Sequence, residues 1–177
     1  MEDRVYLRAF EVDDYILINR WRRDPEIIKY LAGNVFFVSS EREKKSVENK
    51  IFDDSVNLYL GICEKNTNKL IGYTNINNID LRNAKAEWAG TFIGDKDFAG
   101  QGYGREASIL MLSFLFSQYP IHKCYGRCLE EHPTTAKLFI SLGFTQDGVL
   151  RDDVFKNGEF KNVLMFSILR DEVNGQF

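Results

Sequence analysis

Three glycines spaced two apart, Gly100, Gly102 and Gly104, stand where a strand-like run gives way to a long apolar segment. The local sequence is Phe98-Ala99-Gly100-Gln101-Gly102-Tyr103-Gly104-Arg105-Glu106-Ala107, and Glu87-Trp88-Ala89-Gly90-Thr91-Phe92-Ile93 precedes it. Glycine lets a ligand approach the main chain where a side chain would block it. A helix opening at Tyr103 leaves its first N–H groups without partners and presents the positive end of its dipole. Such a turn is a site for phosphate. Gly100, Gln101, Gly102, Tyr103, Gly104 and Arg105 are therefore read as the seat of a phosphate-bearing cofactor; the plain alternative is a glycine-rich turn with no ligand. Two commoner phosphate motifs do not fit. A P-loop ends in Gly-Lys-Ser/Thr, which Gly104-Arg105-Glu106 does not supply. The dinucleotide fingerprint needs G-x-G-x-x-G, whereas here the third glycine comes one residue early.

The elements that must position this loop are legible on either side. Val5-Tyr6-Leu7-Arg8 reads as a first strand. Asp13-Asp14 precedes an amphipathic helix with Tyr15, Leu17, Ile18 and Trp21 as apolar members. Asp24-Pro25 opens a short second helix expected to run through Tyr30-Leu31 and to end at Gly33-Asn34. Ser39-Ser40-Glu41 starts a third helix reaching about Phe52, with Ser40 and Glu43 at capping-box spacing. Runs 57–63 and 69–76 read as a hairpin around Lys65-Asn66-Thr67-Asn68. A strand near 86–94 leads into the glycine loop, and a deeply buried helix follows from about Tyr103 to Gln118. Strand 124–129, a helix from Pro133 to Leu142 stopped by Gly143, and strands 144–150 and 159–169 complete the chain. Asn157-Gly158 between the last two is a hairpin signal. This order predicts an α/β fold with a mixed, mostly antiparallel sheet of about seven strands flanked by helices. It carries no internal repeat and no linker, so residues 1–177 are expected to form a single domain.

Composition narrows the function class. Apolar residues are 44% and charged residues 28% of the 177, ordinary for a globular protein. A net charge of −3 with no basic stripe argues against nucleic acid. No apolar run reaches the roughly 18 residues of a membrane span. Met1-Glu2-Asp3-Arg4 has no signal-peptide pattern. Cys63, Cys124 and Cys128 are odd in number, which predicts reduced thiols in the cytoplasm.

The glycine loop resembles the acetyl-CoA pyrophosphate loop of the GNAT acyltransferase superfamily, Gln/Arg-x-x-Gly-x-Gly/Ala, with Gly102 and Gly104 matching and Ala99 in place of Gln or Arg. Ala136, Phe139, Leu142 and Gly143-Phe144 resemble the last helix of that family, and the stretch from Gly148 to Phe160 is similar to the branch of ribosomal-protein N-terminal and spermidine N-acetyltransferases. The resemblance spans nearly the whole chain. It implies transfer of an acetyl group from acetyl-CoA to a primary amine by direct attack in a ternary complex, without a metal. The acceptor would be a small molecule or a peptide N-terminus, and a homodimer is common among similar proteins. The strand before the loop, around Phe92 and Ile93, would pair its backbone with the pantetheine arm. The amides from Gly100 to Arg105 would hold the pyrophosphate. Backbone donors would stabilise the developing oxyanion. A non-catalytic acyl-CoA sensor and a protein-interaction module on the same fold are the alternative classes.

Individual residues follow from the same resemblance. Glu87 is the candidate general base, against the plainer reading of a strand-edge glutamate, and its spacing to the glycine loop, looser than in close relatives of that family, implies a bulge. The family's helix tyrosine, often assigned as the acid for the leaving thiolate, aligns with Phe139, which has no proton to give. Tyr125, Cys128, Tyr103 or water is left for that task. Phe139 itself is either core packing or part of the pantetheine wall. His132 stands where the family has asparagine and could hydrogen-bond the cofactor. Arg105 faces a phosphate or solvent. Trp21 and Arg22 are candidate acceptor contacts, or a core tryptophan beside a solvated corner. Cys124 and Cys128, four apart on a strand, lack the further ligands of a metal site.

Overall fold

Alternating apolar residues build seven strands into one sheet, in the order β1-β2-β3-β4-β5-β7-β6. The strands are β1 (Val5–Ala9), β2 (Leu58–Glu64), β3 (Leu70–Asp80), β4 (Lys85–Ile93), β5 (Lys123–Leu129), β6 (Thr145–Lys156) and β7 (Glu159–Leu169). The helices are α1 (Tyr15–Arg22), α2 (Pro25–Ile28), α3 (Ser40–Ile51), α4 (Tyr103–Gln118) and α5 (Pro133–Ser141). The computed structural model describes residues 3–28, 37–53 and 56–173. The expected continuation of the second helix through Tyr30-Leu31 and its stop at Gly33-Asn34 lie outside the described residues. No described helix is long and apolar enough to cross a membrane.

All neighbouring strands are antiparallel except β4 and β5, which run parallel. Their ladder has three rungs, Lys85↔Lys123, Ala86↔Cys124 and Glu87↔Tyr125. Beyond Glu87, β4 keeps β3 on one side and, among the described residues, has no strand on the other. The bulge implied by the sequence is present: Thr74 faces Thr91 while Ile76 faces Trp88, so β4 carries an extra residue, with Gly90 at φ +99°.

One face of the sheet packs on α4 and α5. Trp88, Phe139, Phe144 and Phe166 meet there with ring centroids 4.8–5.7 Å apart, together with Met111, Leu112 and Leu115 of α4, which are fully buried. The opposite face of β1–β4 packs on α1 and α3 through Ile18, Trp21, Val47, Tyr73 and Phe92. Each fully buried large apolar side chain contributes about 1.5–3 kcal/mol.

Local signals are read with mixed success. Asn157 and Gly158 both have positive φ, +53° and +84°, as a tight hairpin turn requires. Asp24 Oδ1 accepts the Glu26 N–H at 3.0 Å above Pro25, the expected cap. The capping box of Ser40 and Glu43 is corrected. Ser39 is the cap, accepting the Arg42 N–H at 3.2 Å. Glu43 instead turns inward, fully buried, to Arg22. β6 runs to Lys156, beyond the predicted end at Leu150, because its second half pairs with β7 across a register shift.

Candidate active site

The glycine loop sits at the N-terminus of α4, beside the far end of β4. Gly102 is the residue before the helix, at φ +89°, and Gly100 has φ +72°. Both lie in the left-handed region that glycine adopts without a steric penalty. A Cβ on Gly100 would meet nothing within 4 Å, so the backbone conformation rather than packing favours glycine there, and the space beside it is open. Among the described residues the N–H groups of Gly100 to Arg105 make no main-chain hydrogen bond; the first bond of the helix is Glu106 N–H to Gly102 O at 3.1 Å. Open space, unspent amides and a helix dipole coincide, and the residues present fit a pyrophosphate.

The loop is held from behind. Glu106 accepts from the Arg4 and Val5 N–H groups and from Arg4 Nε at 3.0 Å. The Arg4 guanidinium lies 4.2 Å from the centre of the Tyr103 ring and donates to Gln101 O at 3.2 Å. Arg105 is exposed and donates to Ser141 O, at the end of α5, at 3.3 Å. A line of hydroxyls ties the helix to the β4 bulge. Ser108 Oγ lies 2.6 Å from Gly104 O and 2.9 Å from Thr91 Oγ1. Thr91 Oγ1 is 3.1 Å from Thr74 Oγ1, which accepts from Trp88 Nε1 at 3.3 Å. Ser108 and Thr74 are fully buried, so the line is a fixed support.

From Trp88 to Ile93, β4 leaves one backbone edge unpaired among the described residues, as an extended amide-bearing chain such as pantetheine requires. Ile93 faces α4, beside Phe98, Tyr103 and Ala107. Phe92 points to the opposite face, against Tyr73 at 4.9 Å and Trp21 at 6.1 Å. Glu87 occupies the last rung of the β4–β5 ladder and is 7% exposed. Its Oε2 accepts from Asn78 Nδ2 at 2.9 Å, and its Oε1 lies 3.2 Å from Arg127 Nε. Asn78 has φ +52° at an irregularity of β3, which aims its side chain across to β4. Asn57 Oδ1 accepts the Asn78 N–H at 3.1 Å, and Asn57 Nδ2 donates to Asp53 at 2.6 Å. These partners of Glu87 escaped the sequence reading. The signal was the asparagine-dense strand end Asn75-Ile76-Asn77-Asn78, a composition that strands ordinarily avoid.

Other candidates stand apart from the cleft edge. Phe139 is 1% exposed and stacked on Phe166 at 4.8 Å. Its ring edge reaches the point where β4 and β5 part: a Cβ on Gly126 would lie 2.6 Å from Phe139 Cζ and 2.8 Å from Trp88 O. Trp21 is buried over Gly94, where a Cβ would collide with its ring. Arg22 binds both oxygens of Glu43 through Nη1, at 3.2 and 3.3 Å. His132 precedes α5 and contacts Thr135 Oγ1 through Nδ1; burial and nearby Lys156 hold its pKa below the ordinary value. Burial pushes the Cys124 thiol up to about 12 and the Cys128 thiol up to about 11. Burial, then the charge of Glu87, raises the Tyr125 phenol. Among the described residues no three His, Cys, Asp or Glu side chains are grouped to hold a metal.

Residues 4–145 match the family model described as an acetyltransferase (GNAT) domain. The chain is 29% identical to the uncharacterized N-acetyltransferase p20 of Bacillus licheniformis over 98% of its length and 97% of that protein's. It is 25% identical to the spermidine N(1)-acetyltransferase of Vibrio cholerae serotype O1, covering 97% and 96%. The crystal structure of spermidine N-acetyltransferase from Vibrio cholerae in complex with CoA and spermine superposes with a TM-score of 0.87, at 23% identity and coverage of 97% and 99%. The fold, the glycine loop and these similarities together place the chain in the GNAT family, as an N-acetyltransferase that uses acetyl-CoA.

Proposed function

We propose that the acetyl group passes directly to a primary amine in a ternary complex, with Glu87 taking the amine's proton. The observation that carries this is a buried carboxylate on the last rung of the β4–β5 ladder, next to the open edge of β4. Acetyl-CoA supplies a thioester-activated acetyl group. The amides of Gly100 to Arg105 hold its pyrophosphate, and the free edge of β4 around Phe92 and Ile93 orients the pantetheine arm. Asn78 and Arg127 fix the Glu87 side chain in place. The amine must be neutral to attack, so its proton leaves through Glu87 to solvent. The C–N bond forms, the C–S bond breaks, and the sulfur departs with the electron pair.

Neither Cys128, at about 11, nor Tyr125, raised by burial, is as strong an acid as an ordinary thiol, whose pKa is about 8.5. Neither side chain drives protonation, so the sulfur leaves as the thiolate and gains its proton afterwards by exchange with solvent. Relatives named for spermidine support a small-molecule amine over a peptide N-terminus as acceptor. Three free buried cysteines suit a reducing cytoplasm. Phe155 and Phe160, 5.1 Å apart and exposed at the β6–β7 turn, support a homodimer. Glu87→Gln is expected to lower kcat by about 10²–10⁴-fold while the acetyl-CoA-induced rise in Tm is kept. An unchanged rate across the pH range removes Glu87 from the mechanism.

A further inference from the structure

Beneath the outer turn of α3 lies a cavity of about 370 Å³, away from the glycine loop. Tyr59 of β2 lines it together with Lys50, Arg42 and Lys45 of α3; among the described lining residues Asp53 is the carboxylate. Lys50 is half-buried, with Nζ 5.6 Å from the centre of the Tyr59 ring. No carboxylate among the described residues lies within ion-pair distance of Lys50. Lys45 sits on the rim, 70% exposed, 3.5 Å from Glu48. The neighbouring carboxylate on the inner face of α3, Glu43, is already engaged by Arg22.

The cavity belongs to the same surface as Glu87. Asp53 accepts from Asn57, Asn57 from the Asn78 N–H, and Asn78 donates to Glu87, a continuous chain from cavity wall to proposed base. Across the sheet, Tyr59 is the register partner of Asn75, and Asn75 faces the β4 bulge between Trp88 and Thr91. Two strand spacings, about 10 Å, separate the cavity floor from the open edge of β4.

We propose that this cavity is the acceptor's anion subsite, so that the amine acetylated here carries a carboxylate or phosphate about 10 Å from its reactive nitrogen. The inference rests on the N-acetyltransferase reading and names its substrate class. Among the described residues Arg42 and Lys50 face Asp53, with Lys45 on the rim beside Glu48, and this cationic balance favours an anion and repels the second charge of a diamine. Burial pushes the Lys50 ammonium below its ordinary pKa, and Glu43 offsets this only in part. A bound anion would supply the missing partner.

The test uses the purified full chain, acetyl-CoA and four acceptors of one backbone: 6-aminohexanoate, 6-aminohexyl phosphate, hexylamine and hexane-1,6-diamine. At least one anionic acceptor is expected to exceed the diamine in kcat/KM by about tenfold or more, and which one leads separates carboxylate from phosphate. Lys50→Met is expected to raise KM for that acceptor by about tenfold more than it does for hexylamine, with a smaller effect on kcat. Arg42→Gln, on an exposed side chain, repeats the measurement without burdening the fold and is expected to shift KM in the same sense. A diamine preference in the wild type, or equal effects of Lys50→Met on charged and neutral acceptors, overturns the proposal. Calorimetric binding of the two anionic amines separates the failures. Binding that Lys50→Met abolishes, without turnover, keeps the subsite and defeats the transferase reading. No binding to the wild type overturns the subsite.

Discussion

Gly104 has helical geometry, and a Cβ there would meet only Ile93 at 3.5 Å and Thr91 at 3.9 Å, ordinary contacts. The fold therefore has room for a methyl at this position, and a larger side chain enters the space the ligand needs. Gly104→Val is expected to leave Tm without ligand within a few degrees of wild type, since the gain over glycine in helix propensity offsets crowding of its methyls against Ile93. The same change should abolish the rise in Tm that acetyl-CoA produces; a retained rise would mean the pyrophosphate is held elsewhere. Gly102→Val is a less clean probe, because φ +89° adds about 1–2 kcal/mol of backbone strain. Phe139 poses the complementary question. Its ring edge stands at the parting of β4 and β5, where a hydroxyl would be delivered beside Trp88 O. A thiolate with a pKa of about 8.5 leaves without an acid, so Phe139→Tyr is expected to hold kcat within about threefold of wild type. Stopped-flow thiol release checks this, and a tenfold gain would show that protonation limits the rate.

At the scale of elements, the cleft exists because β4 and β5 share three rungs and then separate. Gly126 lies just past the last rung, and its lack of a side chain leaves room for the Phe139 ring. Gly126→Ala would force its methyl to 2.6 Å from Phe139 and 2.8 Å from Trp88 O. Overpacking of this kind costs about 1–3 kcal/mol, to be read from the urea midpoint at constant m. The change should also slow transfer, because the inner end of the cleft moves with the ring. Much of this level was legible from local signals. The boundaries of α4, Gly143 at φ +83° behind α5, and the Asn157-Gly158 turn follow from neighbours a few residues apart. The cap of α3 was legible only to within one residue, because Ser39 and Ser40 are chemically the same, and burial of Glu43 against Arg22 decides between them.

The whole molecule is closed by a clamp that no local pattern announces. Arg170, just after β7, donates to Ile121 O at 2.7 Å, Phe116 O at 2.9 Å and Tyr119 O at 2.7 Å, while its guanidinium lies 5.6 Å from the Phe116 ring centre. It satisfies carbonyls at and beyond the C-terminal end of α4, which the helix itself leaves open. Arg170→Ala is expected to cost about 3 kcal/mol and to lower Tm by about 10 °C in calorimetry, with acetyl-CoA affinity kept because the clamp lies at the opposite end of α4 from the glycine loop. A loss below about 1 kcal/mol would show that water replaces the guanidinium without penalty.

The sequence by itself determined the α/β class, the order of strands and helices and the glycine loop at the mouth of α4. These depend on spacing, turn chemistry and hydrophobic period, all written within a few residues. Tertiary structure alone decided which side chains gather around Glu87. Asn57 lies just before β2, Asn78 in β3 and Arg127 in β5, and their meeting depends on register and on a left-handed residue at Asn78. It also decided that Trp21 and Phe139 are buried while Arg105 turns to α5, because helix rotation and sheet parting are set by packing across the whole sheet. Local patterns specify elements; the convergence of distant side chains is a property of the assembled core.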